Sequence, residues 1–247
     1  MFIDTHCHIS FDKRKEYVCN AKKENVQIVI NASEDLESSK VAVQMANEIP
    51  EVFACIGVHP EHASLFDKKT ISEFEKLISN DKVVAIGEIG LDYYYGKESR
   101  DEQISVFKLF LDLASRYNLP VVIHSRDAYL DTINILKEYD LKGVIHCFSS
   151  SYEVGMEYIK LGYFLGIGGV LTFKNSKLSE TVKKLPLSNI LLETDSPFLA
   201  PHPFRGKENE SKYIPIIAQN LAFHTGKTVE EIMNITTQNA RKLFNLK

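Results

Sequence analysis

The stretch that decides the fold is FIDTHCH, residues 2–8 of a 247-residue chain. Its apolar beginning predicts a buried strand, and the strand ends in the pattern His-x-His. Because side chains alternate between the two faces of a strand, His6 and His8 point the same way and Cys7 points the opposite way. Two imidazoles that project together from a strand end provide half of a metal site. The alternative for so short a motif is a pair of surface histidines near a terminus.

Seven further apolar, β-branched runs follow this one, each succeeded by a longer amphipathic stretch. Strands that alternate with helices pair in parallel through crossovers. The clearest helix is predicted over 101–117, where apolar residues recur at helical spacing. We therefore predict a closed (β/α)8 TIM barrel that forms a single domain over residues 1–247, with an open doubly wound sheet as the alternative. The predicted strands are 2–6, 26–30, 52–56, 83–86, 120–123, 144–145, 163–165 and 190–192.

Composition limits the class of protein. A chain of 247 residues with 44% hydrophobic content can bury a large core. It has neither an 18-residue apolar run nor a secretory signal, so we expect no membrane association. Four scattered cysteines without a CxxC motif indicate reduced thiols and a cytoplasmic location. The net charge of −4 argues against a module that binds nucleic acid by charge alone, and nothing indicates an obligate protein partner.

Residues of metal-ligand type follow several predicted strands. In a barrel of this kind, the active site lies at the carboxyl ends of the strands. Six ligands suit two divalent ions, and Glu88, in the middle of the set, is placed to bridge them as in two-metal hydrolases. Mixed imidazole and carboxylate ligands suit zinc or manganese and tolerate magnesium, so the metal is left open. The six candidate ligands are His6, His8, Glu88, His124, His146 and Asp195.

Five other residues near the strand ends are candidates for supporting roles. Arg205 is expected to bind phosphate, with a salt bridge that tethers its loop as the alternative. Arg126 either pairs with a neighbouring carboxylate or contacts phosphate. His59 either touches substrate or orients a ligand, and Glu193 and Asp92 are expected to hold ligand imidazoles in place.

A run of three tyrosines, residues 93–95, comes directly after the fourth strand. Bases of single-stranded nucleic acids stack on exposed aromatic rings. Packing of the loop against the next helix explains the same residues equally well. Both interpretations therefore stay open for this run.

The motifs that together resemble one family are IDTHCHIS, GVHP, GEIGLDYY, VIHSRDA, IHCFSSS and ETDSPFLAPHPFRGKENE. From Phe2 to the last helices, the chain is similar to the TatD family of metal-dependent hydrolases, within the amidohydrolase-like superfamily. The resemblance implies a (β/α)8 fold, the six metal ligands given above, and phosphodiester hydrolysis, with many members acting as deoxyribonucleases and several trimming 3′ ends. Ser150 stands where the family often has glycine, and Glu208 and Ser211 depart from the family's arginine loop, which affects substrate choice.

The function expected from these residues is a deoxyribonuclease of the 3′–5′ exonuclease type. It would use two divalent ions per subunit to activate water, and its substrate would be 3′ ends or single strands of DNA. Asp195 is the candidate general base, and Glu88 is the second catalytic candidate. One alternative is a hydrolase of another bond, such as a D-aminoacyl-tRNA ester or a small-molecule amide or phosphoester. The other is a non-catalytic metal-binding or nucleic-acid-binding protein.

Overall fold

The computed structural model describes residues 1–246, which contain eight β-strands and nine α-helices. No helix in this part of the chain has the length and apolar character needed to cross a membrane. The strands are β1 (Phe2–Cys7), β2 (Val26–Ala32), β3 (Val52–Ile56), β4 (Val83–Asp92), β5 (Val121–Arg126), β6 (Gly143–Ile145), β7 (Phe164–Ile167) and β8 (Ile190–Leu192). The helices are α1 (Arg14–Lys23), α2 (Leu36–Glu48), α3 (Ile71–Ile78), α4 (Arg100–Tyr117), α5 (Tyr129–Leu136), α6 (Tyr152–Lys160), α7 (Leu178–Val182), α8 (Ile214–Thr225) and α9 (Val229–Phe244).

The strands form one sheet in chain order, from β1 to β8, with helices between successive strands. This order is that of a (β/α)8 barrel and confirms the predicted fold class. A doubly wound sheet is excluded because its strand order reverses at a switch point. Packing divides the chain into a terminal unit, residues 1–31 together with 146 onward, and a central unit, residues 32–145. The expectation of a single domain stays a prediction.

In the terminal unit, β1 pairs in parallel with β2, and β7 pairs with β8. The end of β1 also lies beside the segment that follows β8. The His8 N–H donates to the Ser196 carbonyl at 2.6 Å, and the Asp195 N–H donates to the His6 carbonyl at 3.0 Å. These backbone bonds bring the His-x-His motif next to Asp195, although the two are far apart in sequence.

In the central unit, β3, β4, β5 and β6 pair in parallel in that order. β4 and β5 extend beyond the predicted runs, to Asp92 and Arg126, so Glu88 and His124 lie inside strands and not after them. Gly90 makes the close pairing possible. Its φ is +144°, and a Cβ there would lie 2.0 Å from the His124 carbonyl oxygen, so only glycine fits.

Helix α9 begins with a reciprocal capping box. The Thr228 hydroxyl accepts from the Glu231 N–H at 3.1 Å, and the Glu231 carboxylate accepts from the Thr228 N–H at 2.8 Å. Thr228→Ala removes one of these bonds and should lower the free energy of unfolding by about 1 kcal/mol. Urea denaturation measures the change, and Thr228→Ser should retain wild-type stability. Equal midpoints for Thr228→Ala and wild type would contradict the capping role.

Candidate metal centre

A cluster of ligand-type side chains, here called the terminal cluster, consists of His6, His8 and Asp195. One potential ligand atom from each lies within 4.8 Å of the other two. The Nε2 atoms of His6 and His8 are 3.0 Å apart, and an Asp195 Oδ1 lies 3.7 Å and 3.6 Å from them, respectively. Two nitrogen ligands of one ion, at bonds of about 2.1 Å, lie roughly 3 to 3.5 Å apart. The terminal cluster therefore has the spacing of a metal site, and the His146 ring stacks on His6 with centroids 4.1 Å apart.

The electrostatic surroundings of Asp195 keep its carboxyl group ionised. Burial opposes ionisation, but a hydrogen bond from His8 and the charges of His146, His6 and His8 outweigh it and lower the pKa of Asp195 below its usual 3.8. Its backbone has a φ of +58°, in the left-handed region that aspartate tolerates better than most residues. An ionised, fixed carboxylate beside imidazoles is the form that binds a cation.

Asp4 holds the backbone of the terminal cluster in place. The sequence patterns did not identify it as a site residue. Its fully buried carboxylate accepts hydrogen bonds from the Thr194 N–H at 3.0 Å, the Thr194 hydroxyl at 2.6 Å and the His6 N–H at 3.3 Å. Burial raises the pKa of Asp4 to about 7, against the lowering effect of these bonds and of Ser211. Strand alternation places Asp4 on the same face as the two histidines of the motif, and this signal identifies it.

A second group, here called the central cluster, consists of His59, Glu88 and His124. Glu88 Oε1 lies 2.7 Å from His124 Nδ1 and 3.6 Å from His59 Nε2, and these two ring nitrogens are 3.3 Å apart. His59, for which the sequence left the role open, is therefore placed among candidate ligands. Glu88 itself is almost completely buried.

Asp92 links the central cluster to the turn that follows β4. Its Oδ2 lies 3.0 Å from His124 Nε2, and its Oδ1 accepts from the N–H groups of Tyr94 and Tyr95 at 2.9 and 3.0 Å. Burial raises the pKa of Asp92, but the hydrogen bond to His124 and those to the turn lower it below its usual value. The buried Gln103 amide bonds both backbone groups of Asp92. This glutamine was also missed, although it is a polar residue on the apolar stripe of a predicted helix.

Glu193 holds the backbone that carries His146. Its Oε1 accepts from the Cys147 N–H at 2.5 Å and lies 3.6 Å from His146 Nδ1. Its Oε2 is buried and has no hydrogen-bond partner within residues 1–246. Gly166 leaves the space for this carboxylate, because a Cβ there would lie 2.0 Å from Oε2. The role predicted for Glu193, to hold a ligand imidazole in place, stays a prediction.

The chemistry of both clusters fits divalent metal ions. Within residues 1–246, the buried carboxylates of Asp92 and Glu193 form no ion pair with lysine or arginine, and ring nitrogens of His124 and His146 lie 3.0 and 3.6 Å from them, respectively. Imidazole nitrogens with carboxylate oxygens are a ligand set for zinc and similar ions. One ion would be held by the terminal cluster and another by the central cluster. The bridging role of Glu88 and the identity of the metal stay predictions.

The two candidate arginines lie against aromatic rings. The Arg205 guanidinium is 3.8 Å from the centroid of the Phe173 ring. In the part of the chain that the structure describes, neither Arg205 nor Arg126 has an ion pair, so the salt-bridge alternatives are not observed. Glu208, in the same loop as Arg205, is bound instead to Lys13 at 2.8 Å. Both guanidinium groups therefore keep their hydrogen-bond donors available for a ligand.

Loss of one imidazole should remove one metal site and leave the other. We expect His8→Ala to lower the metal content of zinc-loaded protein by about one ion per chain, because the terminal cluster loses one of its three donors. Elemental analysis after dialysis against zinc measures this. His224→Ala, on α8 and outside both clusters, is the matched control and should leave the content unchanged. Equal zinc content for His8→Ala and wild type would contradict the assignment.

Glu193 should act on metal affinity through the segment that it holds. Glu193→Gln weakens the bond from Cys147 and removes a charge near His146, so zinc affinity should fall about 10–100-fold while stoichiometry is retained. Competition titration with a chromophoric chelator measures the affinity. The exposed Glu230→Gln is the control, and an unaltered titration curve for Glu193→Gln would remove Glu193 from this role.

Comparison with known proteins agrees with this centre. A family model described as "TatD related DNase" matches residues 3–245. The chain is 41% identical over 254 residues to the Bacillus subtilis protein YabD, named an uncharacterized metal-dependent hydrolase, and the match covers all of both chains. It is 34% identical to YcfH of Escherichia coli, which has the same description, over 99% of this chain and 96% of that protein.

Comparison with solved structures indicates the same family. The crystal structure of YjjV, a TatD homologue from E. coli K12, superposes with a TM-score of 0.95 at 30% identity and covers 100% of this chain and 98% of that one. A TatD family hydrolase from Entamoeba histolytica shares the fold, with a TM-score of 0.86 at 23% identity over 98% of this chain and 97% of that one. The motifs, the fold and these matches lead to one conclusion: the chain belongs to the TatD-related DNase family of metal-dependent hydrolases.

Proposed function

We propose that this metal-dependent hydrolase is a deoxyribonuclease of the 3′–5′ exonuclease type. The observation that carries the proposal is the presence of two clusters of imidazoles and carboxylates, each with the donors and spacing for one divalent ion. The description of the matching family as DNase-related supports DNA as the substrate. The cytoplasmic location expected from the sequence belongs to the same proposal.

The chain's own residues divide the chemistry between them. Bound divalent ions lower the pKa of water toward neutrality and stabilise negative charge on a phosphoryl group. Asp195, whose carboxylate is kept ionised by the surrounding imidazoles, accepts the proton of the attacking water as general base. The hydrogen bond from the Asp195 N–H to the His6 carbonyl fixes the backbone of Asp195 beside β1. Glu88 supplies the corresponding negative charge in the central cluster.

Arg205 is the candidate phosphate-binding residue in this proposal. Its planar guanidinium lies on the Phe173 ring and has no carboxylate partner among the described residues. A planar fork of N–H donors matches two oxygens of one phosphate group. Stacking on an aromatic ring limits the rotamers of the arginine and so reduces the entropy lost when phosphate binds. Arg205 would therefore bind and orient the scissile phosphodiester for the terminal cluster.

One observation favours a second candidate. The chain has a net charge of −4, whereas proteins that depend on charge to hold nucleic acid are usually basic. The same metal chemistry can hydrolyse a small-molecule amide or phosphoester, which does not need a basic surface for binding. Metal-dependent release of p-nitrophenol from p-nitrophenyl phosphate, together with single-stranded DNA that stays intact, distinguishes this candidate from the deoxyribonuclease.

The deoxyribonuclease proposal predicts metal-dependent shortening of DNA that requires Asp195. Purified protein should progressively shorten 5′-labelled single-stranded DNA, because the label remains on the products of 3′–5′ trimming, and EDTA should stop the reaction. Asp195→Asn should lower turnover about 10²–10⁴-fold because it removes the general base, while DNA binding persists. Asp140→Asn, an exposed position outside both clusters, is the control. Intact DNA after incubation with metal-loaded wild-type protein would refute the function, and near-normal rates for Asp195→Asn would remove that residue from its role.

A further inference from the structure

The three tyrosines that follow β4 have different surroundings. The Tyr93 hydroxyl donates to Asp131 Oδ2 at 2.6 Å, and its ring is only partly exposed, as expected for loop packing. Tyr94 and Tyr95 are 59% and 63% exposed, with ring centroids 4.6 Å apart in an edge-to-face arrangement. Loop packing therefore accounts for the first tyrosine and does not account for the other two.

The turn that carries the two exposed tyrosines is held in place before any ligand arrives. Asp92 accepts the N–H groups of both tyrosines, and the Gln103 amide donates to the carbonyls of Asp92 and Gly96. Since the backbone is already fixed, a ligand that stacks on the rings loses little additional conformational entropy of the protein. The other oxygen of Asp92 contacts His124, so the turn is connected to the central cluster through a single carboxylate.

Arg126 adds a cation to the same surface. Its guanidinium lies 4.1 Å from the Tyr94 ring centroid and 4.7 Å from that of Tyr95. Arg126 pairs with Asp92 across β4 and β5, and strand alternation places it on the same face as His124. Cation–π contacts hold the guanidinium, and no carboxylate in residues 1–246 forms an ion pair with it. It therefore has N–H donors available for a phosphate next to the rings.

A hollow beside Tyr95 is lined by acidic residues, so its charge is opposite to that of Arg126. It has a volume of about 420 Å³, and Glu61 and Glu98 line it together with Ser99. Two carboxylates repel a phosphate, but they accept hydrogen bonds from the amino and imino groups of an uncharged base. These charges favour one orientation of a bound nucleotide. Its base would lie on the rings and beside the hollow, and its phosphate would lie at Arg126.

We propose that Tyr94, Tyr95 and Arg126 form a binding surface for unpaired nucleotides, in which the rings stack on bases and the guanidinium binds the adjoining phosphate. The inference rests on the proposed function, because it identifies the substrate of the same centre as a nucleic acid with unstacked bases. A duplex does not offer the faces of its bases to a protein side chain, whereas a single strand or a frayed end does. Selection of single strands would then depend on this surface and not on the overall charge of the protein.

The test measures binding separately from cleavage. Zinc-loaded protein is titrated into a fluorescein-labelled octathymidylate with cleavage-resistant phosphorothioate linkages, and anisotropy gives Kd. Tyr94→Ala and Tyr95→Ala should each weaken binding about tenfold, since each removes one stacking surface. Tyr94→Phe and Tyr95→Phe keep the rings and should bind like wild type. Tyr117→Ala, an exposed tyrosine near the end of α4, is the control and should have no effect.

Two further measurements separate stacking from charge. An abasic oligomer of the same length should bind wild type more weakly, and its Kd should be unaffected by the tyrosine-to-alanine variants. Arg126→Gln should reduce the slope of log Kd against log salt concentration by about 0.7, the value for one phosphate contact with a single strand. Unchanged octathymidylate binding in the double variant Tyr94→Ala/Tyr95→Ala, or equal losses with the abasic oligomer, would overturn the proposal.

Cleavage of the unmodified oligonucleotide distinguishes this inference from the proposed function. If wild type cleaves the oligonucleotide and the tyrosine variants bind it normally, the binding surface is wrong and the deoxyribonuclease proposal stands. If wild type binds through the tyrosines and cleaves nothing, the surface is supported and the deoxyribonuclease proposal fails.

Discussion

The constraint on which the centre depends is the cost of burying carboxylates. Asp92 and Glu193 are almost completely buried, and neither of them forms an ion pair with lysine or arginine in residues 1–246. An ionised carboxylate in such surroundings is stable only when hydrogen-bond donors or cations compensate it. Backbone N–H groups and imidazoles supply part of this compensation. Bound divalent ions would provide the rest of the compensating positive charge. The cost of burying these acids therefore also explains the requirement for metal.

The supporting residues Asp92 and Glu193 fix the positions of neighbouring groups as well as adding charge. Asp92 uses one oxygen for a candidate ligand imidazole and the other for the tyrosine turn, so displacement of either would disturb both. Glu193 holds the segment of His146 in a similar way, and Gly166 leaves the space that the Glu193 carboxylate occupies. Residues of this kind fix the orientation of ligands and raise their affinity for metal. Each cluster is therefore better understood together with its own hydrogen-bond network than as a set of ligands alone.

Much of this arrangement could be predicted because hydrophobic periodicity identifies strands and parallel strands place their carboxyl ends at one edge. This reasoning found His6, His8 and Asp195 as candidates that the structure brings together. It underestimated β4 and β5, because the glycines around Glu88 and the polar end of β5 weaken the β-strand pattern. It missed Gln103 because a buried amide on an otherwise apolar helix depends on carbonyl partners that the sequence does not identify.

The sequence by itself determined the strand–helix alternation, the chain order of the sheet, the candidate ligands and the family, because these follow from local patterns and short motifs. Only the tertiary structure decided which side chains share a cluster, that Tyr93 packs while Tyr94 and Tyr95 remain exposed, and that Arg126 and Arg205 lie on aromatic rings and form no ion pair within residues 1–246. The physical reason is that burial and side-chain pairing depend on residues distant in sequence. A local pattern fixes the direction in which a side chain leaves the backbone, whereas the folded chain fixes what it meets.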